Sequence, residues 1–193
     1  MLAPEGHKPQ LIPVQVPWEV SPTSPYLRLR TSESDDDWPT EVTFLGYFGP
    51  VALPDWEPGQ PGTGTSTAYQ HLRVVFEQGL WSCFSPGIHD ADPIDRSRYD
   101  EAALPRFRDV GLTLEAYAKA TWEQWRTTGL CPDPGMYEVA QSTWMQAIGC
   151  AKRVHALDYA REYKHFIIEA HDSYVEVIAK AWRYESLGPE EWA

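Results

Sequence analysis

The stretch that decides the fold runs from residue 164 to residue 180 and reads KHFIIEAHDSYVEVIAK. Two apolar runs rich in β-branched residues, at 166–168 and 174–178, flank the polar turn residues of 170–173. Such runs are typical of paired strands, and the residues between them favour a tight turn. A helix is the alternative, because four apolar residues would share one helical face: Val175, Ile178, Ala179 and Trp182. The β-branched density and the turn residues favour the hairpin, so we predict antiparallel sheet here.

Four further segments upstream of this hairpin have the character of strands. Residues 26–31 alternate leucine with arginine, which indicates a half-buried strand, and residues 41–48 are rich in β-branched and aromatic residues. Residues 71–76 and 80–84 have a similar composition, with Gly79 between them as a turn or bulge. Together these segments predict a mainly antiparallel sheet.

One amphipathic helix is predicted after Thr113, which is suited to the N-cap, and Gly129 is its natural stop. The apolar face comprises Leu114, Tyr117, Ala118, Thr121, Trp122 and Trp125. A short helix is also expected at 143–148, between Ser142 and Gly149. The fold class that follows is α+β: a mainly antiparallel sheet with one prominent amphipathic helix and long Pro/Gly-rich and acidic loops.

The N-terminal segment, residues 1–25, contains six prolines. Because proline removes a hydrogen-bond donor, we predict an extended arm without regular structure. We expect it to dock on the body through its apolar residues: Leu11, Ile12, Val14, Val16 and Trp18. The remaining residues, 26–193, are predicted to form a single α+β domain. Two long loops lie within that domain, one rich in proline and glycine at 54–67 and one acidic at 85–105.

The chain is strongly acidic, with 16 basic against 28 acidic residues and a formal net charge of −12. Residues 1–105 hold six basic and 15 acidic residues, and residues 106–193 hold ten and 13. The deficit of Lys and Arg argues against nonspecific nucleic-acid binding and against attraction to an anionic membrane. A basic protein partner is compatible with this charge, and a purely solubilising role is the alternative.

Nothing in the sequence indicates export or membrane insertion. No segment approaches the ~20 apolar residues of a membrane span, and the first nine residues lack the pattern of a signal peptide. The three cysteines, Cys83, Cys131 and Cys150, form no CxxC pair, and their odd number argues against a disulfide framework. We therefore expect a cytoplasmic protein.

The densest polar cluster contains His89, Asp90, Asp92 and Asp95. Closely spaced carboxylates attract hard cations, but this spacing lacks the glycine and the terminal Glu of an EF-hand loop. A bare acidic loop is therefore favoured over a metal site, and no metal or cofactor is predicted.

His165, His171 and Asp172 flank the predicted hairpin, and a histidine beside an aspartate can act as a general base or a metal ligand. Adjacent strand residues point to opposite faces, so a turn-capping role for Asp172 is favoured. Cys131 follows a helix C-terminus, whose dipole opposes a thiolate. No phosphate-binding, nucleophile-elbow or zinc-protease motif is present, so no catalytic residue is predicted.

Tryptophan beside carboxylates is typical of a protein-binding hot spot. Trp18, Trp38 and Trp56 lie in acidic or Pro-rich segments, and the alternative for each is to fold back over the sheet. We predict that carboxylates and tryptophans together form a partner-binding surface: Asp35, Asp36, Asp37, Trp38, Trp56, Asp90, Asp92 and Asp95.

Three parts of the chain carry a family resemblance: the acidic loops 33–37 and 90–101, the 164–180 segment with its His171-Asp172-Ser173 turn, and the 125–137 stretch WRTTGLCPDPGMY. In these features the sequence resembles the small acidic immunity proteins of bacterial polymorphic toxin systems. The resemblance implies a stoichiometric inhibitor that binds a cognate toxin and blocks its active site, and it transfers no catalytic residue.

Three functions follow as hypotheses. The first is a non-catalytic binding protein that neutralises a cognate, basic protein toxin by occluding its active site. The second is a metal-dependent hydrolase that uses His89, Asp90 and Asp92 with His165 or His171. The third is a structural component of a larger assembly, attached through the Pro-rich arm. The sequence leaves the oligomeric state open.

Overall fold

The computed structural model describes residues 8–21, 27–32, 39–53, 55, 68–79, 81–86, 94–105, 111–151 and 162–188. Within these residues the strands are β1 Gln10–Pro13, β2 Glu19–Val20, β3 Arg28–Thr31, β4 Thr40–Tyr47, β5 Tyr69–Glu77, β6 Trp81–Pro86, β7 Met136–Ala140, β8 Lys164–Glu169, β9 Ser173–Ala179 and β10 Ala181–Gly188. The helices are α1 Gly49–Ala52, α2 Leu114–Thr128 and α3 Thr143–Ala151, and a 3₁₀ turn spans Arg96–Arg98.

These strands form two antiparallel sheets of five strands each among the described residues. Sheet 1 has the order β1-β7-β8-β9-β6. Sheet 2 has the order β10-β5-β4-β2, and β3 also pairs with β4. The predicted fold class, α+β with a mainly antiparallel sheet, is confirmed.

The hairpin within 164–180 is present as predicted, and it continues directly into a further strand. β8 pairs with β9, and β10 follows β9 after one residue. β5 and β6 run alongside: Ala181 lies opposite Glu77 in sheet 2, and Trp81 lies opposite Ile178 in sheet 1. The β5–β6 segment and the β9–β10 segment therefore each pass from one sheet into the other, and they join the two sheets.

The inner faces of the two sheets pack against each other and form the main core. Alternation along the strands supplies it, because every second residue of β4 is buried. Aromatic side chains make up much of its volume, and Trp18, Phe44, Phe76 and Phe166 are all buried there. The ring centroids of Trp18 and Phe44 lie 5.3 Å apart, which is a packing distance. Apolar contacts thus occupy the inner faces, and polar chemistry is found on the outer faces.

The N-terminal segment contains strands, so the expectation that it lacks regular structure is wrong. β1 pairs with β7 in sheet 1, and β2 pairs with β4 in sheet 2. Pro13 stands at the end of β1, the position at which a strand tolerates a missing donor. Trp18 lies between these two strands and is fully buried, so it folds back into the core and is not an exposed binding residue.

Helix α2 begins and ends where the sequence predicts. The Thr113 side chain accepts a hydrogen bond from the first turn at 3.2 Å, and Gly129 ends the helix at φ 71°. Trp122 and Trp125 are buried, and their ring centroids lie 6.5 and 6.2 Å from that of Tyr47 in sheet 2. These two tryptophans attach the helix to the outer face of sheet 2.

Two details of the helices differ from the predictions. Leu114 is exposed, because the buried residues of α2 are confined to its C-terminal half. α3 continues past Gly149 to Ala151, since a glycine inside a helix costs only about 1 kcal/mol. Ser142 caps α3 as predicted, with its Oγ accepting from the Met145 amide at 3.1 Å.

No helix among the described residues is long and apolar enough to cross a membrane.

Candidate functional site

The structure describes one of the eight predicted partner-binding residues. Seven lie outside the described residues, and so does His89: Asp35, Asp36, Asp37, Trp38, Trp56, Asp90 and Asp92. Asp95 is described, and its carboxylate caps the 3₁₀ turn Arg96–Arg98. It accepts hydrogen bonds from the Ser97 amide at 3.2 Å and from the Ser97 hydroxyl at 2.5 Å.

Segment 94–105, which begins next to Asp95, docks on the outer face of sheet 1. Ile94 and Leu104 are buried there in a second apolar cluster with residues of β1, β7 and β8: Leu11, Tyr137, Val139 and Ile167. Backbone hydrogen bonds of 2.8 and 2.9 Å between Asp100 and the N-terminal segment fix its position. This docking brings Arg96 onto the face of the sheet.

Arg96 is the centre of an ion-pair network on this face. Its guanidinium donates to Glu101 Oε1 at 3.0 Å and forms a short ion pair with Glu169 at the end of β8. It also donates to the Tyr137 hydroxyl at 3.4 Å, and it lies over that ring, 5.7 Å from the centroid. The planar guanidinium suits such multiple contacts. Arg96 therefore ties segment 94–105 to β7 and β8.

The loop 131–135 extends this network from sheet 1 to β2 of sheet 2, where the Val20 amide donates to the Pro134 carbonyl oxygen at 2.9 Å. Tyr137 donates its hydroxyl hydrogen to Asp133 Oδ1 at 2.6 Å. Gly135 permits the loop to lie close to the end of β8. It has φ 69°, and a Cβ there would lie 3.0 Å from the backbone carbonyl oxygen of Glu169. A residue with a side chain would be strained at this position. The glycine therefore fixes where Asp133 stands.

Glu19 of β2 is the least satisfied carboxyl group near this loop. It lies opposite Tyr47 in the strand register, is half-buried, and has no hydrogen-bond partner among the described residues. Burial, followed by the negative charge of Asp133, raises the pKa of Glu19 to about 7. Burial, together with the neighbouring Tyr69 and Glu19, also raises the pKa of Tyr47 to about 12. Groups with such perturbed pKa values cluster at functional sites.

Four carboxyl groups make up what we call the acidic strip: Glu19, Glu101, Asp133 and Glu169. The Arg96 guanidinium forms ion pairs with two of them, Glu101 and Glu169. Arg96 and Tyr137 hold three of the carboxylates in fixed positions before any partner arrives. A positively charged side chain beside Glu19 and Asp133 would relieve the repulsion between them. The strip is therefore suited to holding a basic group.

Comparison of the chain with protein-family models, characterised proteins and solved structures finds no match. Among the described residues, no group of three or more His, Cys, Asp or Glu side chains is placed to hold a metal ion.

His165 lies on the outer face of β8 and is only 3% exposed. Its Nδ1 is 2.8 Å from Ser142 Oγ, and its Nε2 is 4.0 Å from Glu176 Oε1. The ring of Trp144, from α3, meets it edge-on with 5.2 Å between centroids. Burial lowers the pKa of His165 to about 4, so the ring is neutral at pH 7.

Serine, histidine and glutamate in line are the components of a hydrolase triad, but here they form a structural connection. The Ser142 oxygen accepts the Met145 amide as the cap of α3, and the side chain is buried. A histidine whose pKa is held near 4 is also a poor general base at neutral pH. Ser142 and His165 therefore attach α3 to sheet 1.

His171 stands in the turn beyond the other end of β8. It is exposed, and its Nδ1 lies 2.8 Å from Asp172 Oδ1. Six residues of chain, roughly 15–20 Å when extended, separate it from His165, so the two histidines do not converge on one site. Cys131 is buried beside the acidic strip, and burial followed by the charge of Glu19 raises the pKa of its thiol well above the usual range. That thiol is not an activated nucleophile.

The predicted partner-binding residues include no member of the acidic strip. Arg96 and Glu169 are 73 residues apart, and no local pattern links them. One signal was present at Glu19, which stands between the apolar residues Trp18 and Val20. A lone carboxyl group within an apolar run indicates either a solvent-facing strand position or a site.

Proposed function

We propose that the protein is a non-catalytic binding protein that holds a basic partner protein through the acidic strip. Glu19 carries the proposal, because it is a half-buried carboxyl group with no hydrogen-bond partner among the described residues and with Asp133 nearby. Removing a carboxylate from water beside another negative charge lowers the stability of the fold. A group retained at such a cost is better explained by binding than by scaffolding.

The surroundings of Glu19 favour a lysine or arginine side chain as its counterpart. Tyr47 and Tyr69 are close enough for the charge of Glu19 to raise both of their pKa values, after the larger effect of burial. Their ring centroids lie 4.8 Å apart. Carboxylates and aromatic rings both stabilise ammonium and guanidinium groups. A basic side chain of the partner would meet both kinds of group here.

In this proposal the partner is a cognate toxin with a basic substrate site, as the resemblance to immunity proteins implies. The acidic strip covers that site and excludes the substrate. The net charge of −12 steers association with a basic surface, which mainly raises the association rate. The complex forms in the cytoplasm of the cell that makes both proteins.

Titration calorimetry with the product of the gene next to its own tests this function. We expect a 1:1 complex in the calorimetric titration. An assay of the partner's activity should show complete inhibition at equal molar ratio. Binding kinetics should show an association rate that falls several-fold when salt is raised to physiological strength. A basic protein of unrelated sequence, such as lysozyme, is the control and should bind far more weakly. Failure to form a complex at micromolar concentration would count decisively against the proposal.

A further inference from the structure

Strand β6 is an edge of sheet 1 and carries no charged residue along its sequence, WSCFSP. Among the described residues only β9 pairs with it. The edge strand of sheet 2, β10, differs, because Arg183 and Glu185 lie along it and form ion pairs with Glu77 and Arg73. Charged residues on an edge strand discourage further strand pairing, and β6 has none.

The side chains of β6 are also unusually open for apolar groups. Trp81 is 41% exposed, Phe84 is 40% exposed, and the Cys83 thiol is exposed. Alternation along the strand puts Trp81 and Cys83 on the outer face of sheet 1 and Phe84 on the other face. An uncharged edge with aromatic side chains on both faces is a template for another strand.

We propose that β6 pairs with the β6 strand of a second copy of this chain, antiparallel and about a twofold axis at Cys83. A twofold axis perpendicular to a sheet turns one edge strand into its own antiparallel partner. Opposed residues must then share a face, so Cys83 faces Cys83 of the second copy and Trp81 faces its Ser85. The two copies of sheet 1 then become one continuous ten-stranded sheet across the interface.

Charge favours a second copy over a basic partner at this edge. A basic protein is attracted by the carboxylates of the acidic strip, and β6 offers it none. Two copies that each carry −12 repel each other, and contact along β6 sets no charged side chain of one edge strand opposite a charged side chain of the other. This inference does not depend on the proposed function, because the acidic strip takes no part in it.

The molar mass of the intact chain in solution, measured by light scattering across a concentration series, is the first test. We expect a species of about twice the 22.0 kDa of one chain. Cys83→Lys should restore a single chain, because it sets two ammonium groups opposite each other. Thr127→Lys adds the same charge on α2 and should leave the dimer intact. A wild-type mass of one chain at all concentrations, or a dimer that survives Cys83→Lys, would overturn the proposal.

Oxidation by diamide, which takes up the two thiol hydrogens as a disulfide forms, tests the register. Opposed antiparallel residues have Cα atoms about 4.5–5.5 Å apart, within the range of a disulfide, so the wild type should cross-link rapidly. In the double variant Cys83→Ser/Ser85→Cys the two thiols would stand four residues out of register, roughly 13 Å apart, and should cross-link slowly. Equal rates for the two proteins would show random collision and would refute pairing at Cys83.

Discussion

The acidic strip extends from the outer face of sheet 1 to Glu19 on β2 of sheet 2, whereas strand β6 is an edge of sheet 1, and the two regions present opposite chemistry to solvent. Arg96 contacts two of its carboxyl groups, Glu101 and Glu169, Tyr137 holds Asp133, and Glu19 lies near Asp133. β6 has no charge and exposes Trp81 and Phe84. In a chain of net charge −12, the strip favours a basic protein over a second copy, whereas the edge carries no charge that would attract or repel either. The two proposed binding surfaces therefore differ in charge.

Loss of Arg96 should have the largest effect, and it should act on the strip only. Arg96→Met removes the ion pairs that Arg96 makes with Glu101 and Glu169, so we expect about 2–3 kcal/mol less stability at pH 7 by urea unfolding. Arg183→Met is the control, since its ion pair with Glu77 is exposed, and it should cost at most about 0.5 kcal/mol. Equal losses would mean that the Arg96 network is no more than a surface ion pair. The dimer mass should not change in either variant.

Acid should weaken the scaffold that both regions share, through His165. The folded-state pKa of His165, about 4, lies below the ordinary 6.5. Its contribution to the free energy of unfolding is therefore complete above pH 6.5 and is lost as the pH falls towards 4. Between pH 7 and pH 5 this amounts to about 2 kcal/mol. Unfolding of wild type and His165→Gln at both pH values isolates the effect. Parallel pH profiles would show that His165 is not the titrating group.

Gly135→Ala should move the strip without touching β6. The new Cβ would meet the Glu169 carbonyl oxygen at 3.0 Å in a backbone conformation of φ 69°, and we expect a loss of about 1–2 kcal/mol. Gly111→Ala is a matched control, because Gly111 has φ 63° but open space around it. It should lose less stability and keep full affinity for the partner. If the two variants behave alike, crowding at Gly135 does not position Asp133.

Glu19→Gln should differ from the other variants in sign, because we expect it to raise the stability of the fold. The pKa of Glu19 is raised from 4.5 to about 7, so the group is favourable below pH 4.5 and costs stability as the pH rises through 7. The variant should therefore gain about 2–3 kcal/mol of stability relative to wild type between pH 5 and pH 8. Thermal unfolding at both pH values measures this. A variant that is less stable at pH 8 would show that Glu19 already has a stabilising partner within the fold.

The local elements of the fold were predictable because their signals are local. The hairpin at 164–180 follows from two β-branched runs and the turn between them, and α2 follows from its cap at Thr113 and its stop at Gly129. β1 and β7 were not predicted. They are short strands that pair with each other from distant parts of the chain, and no local pattern announces such a pairing.

The acidic character of the candidate site was predictable from the sequence, but the residues that form it were not. Acidity indicated a surface for a basic protein, and the carboxylates of loops 33–37 and 90–92 remain predictions, because they lie outside the described residues. Arg96 belongs to an acidic segment by sequence, and only docking on sheet 1 shows that it joins Glu101 to Glu169. Glu19 and Asp133 meet because β2 pairs with β4 beside the 131–135 loop. Such long-range contacts leave no periodic trace in the sequence.

Two double variants with the same change in formal charge, titrated with the product of the neighbouring gene at pH 8, where Glu19 is ionised, examine the acidic strip itself. Glu19→Gln/Asp133→Asn removes two charges from the strip and keeps an oxygen that accepts from Tyr137. Glu115→Gln/Glu123→Gln removes two charges from α2. We predict affinity at least about tenfold weaker for the first variant and within about twofold of wild type for the second. Equal affinities would show that the partner responds only to net charge, and the strip would not be the binding surface.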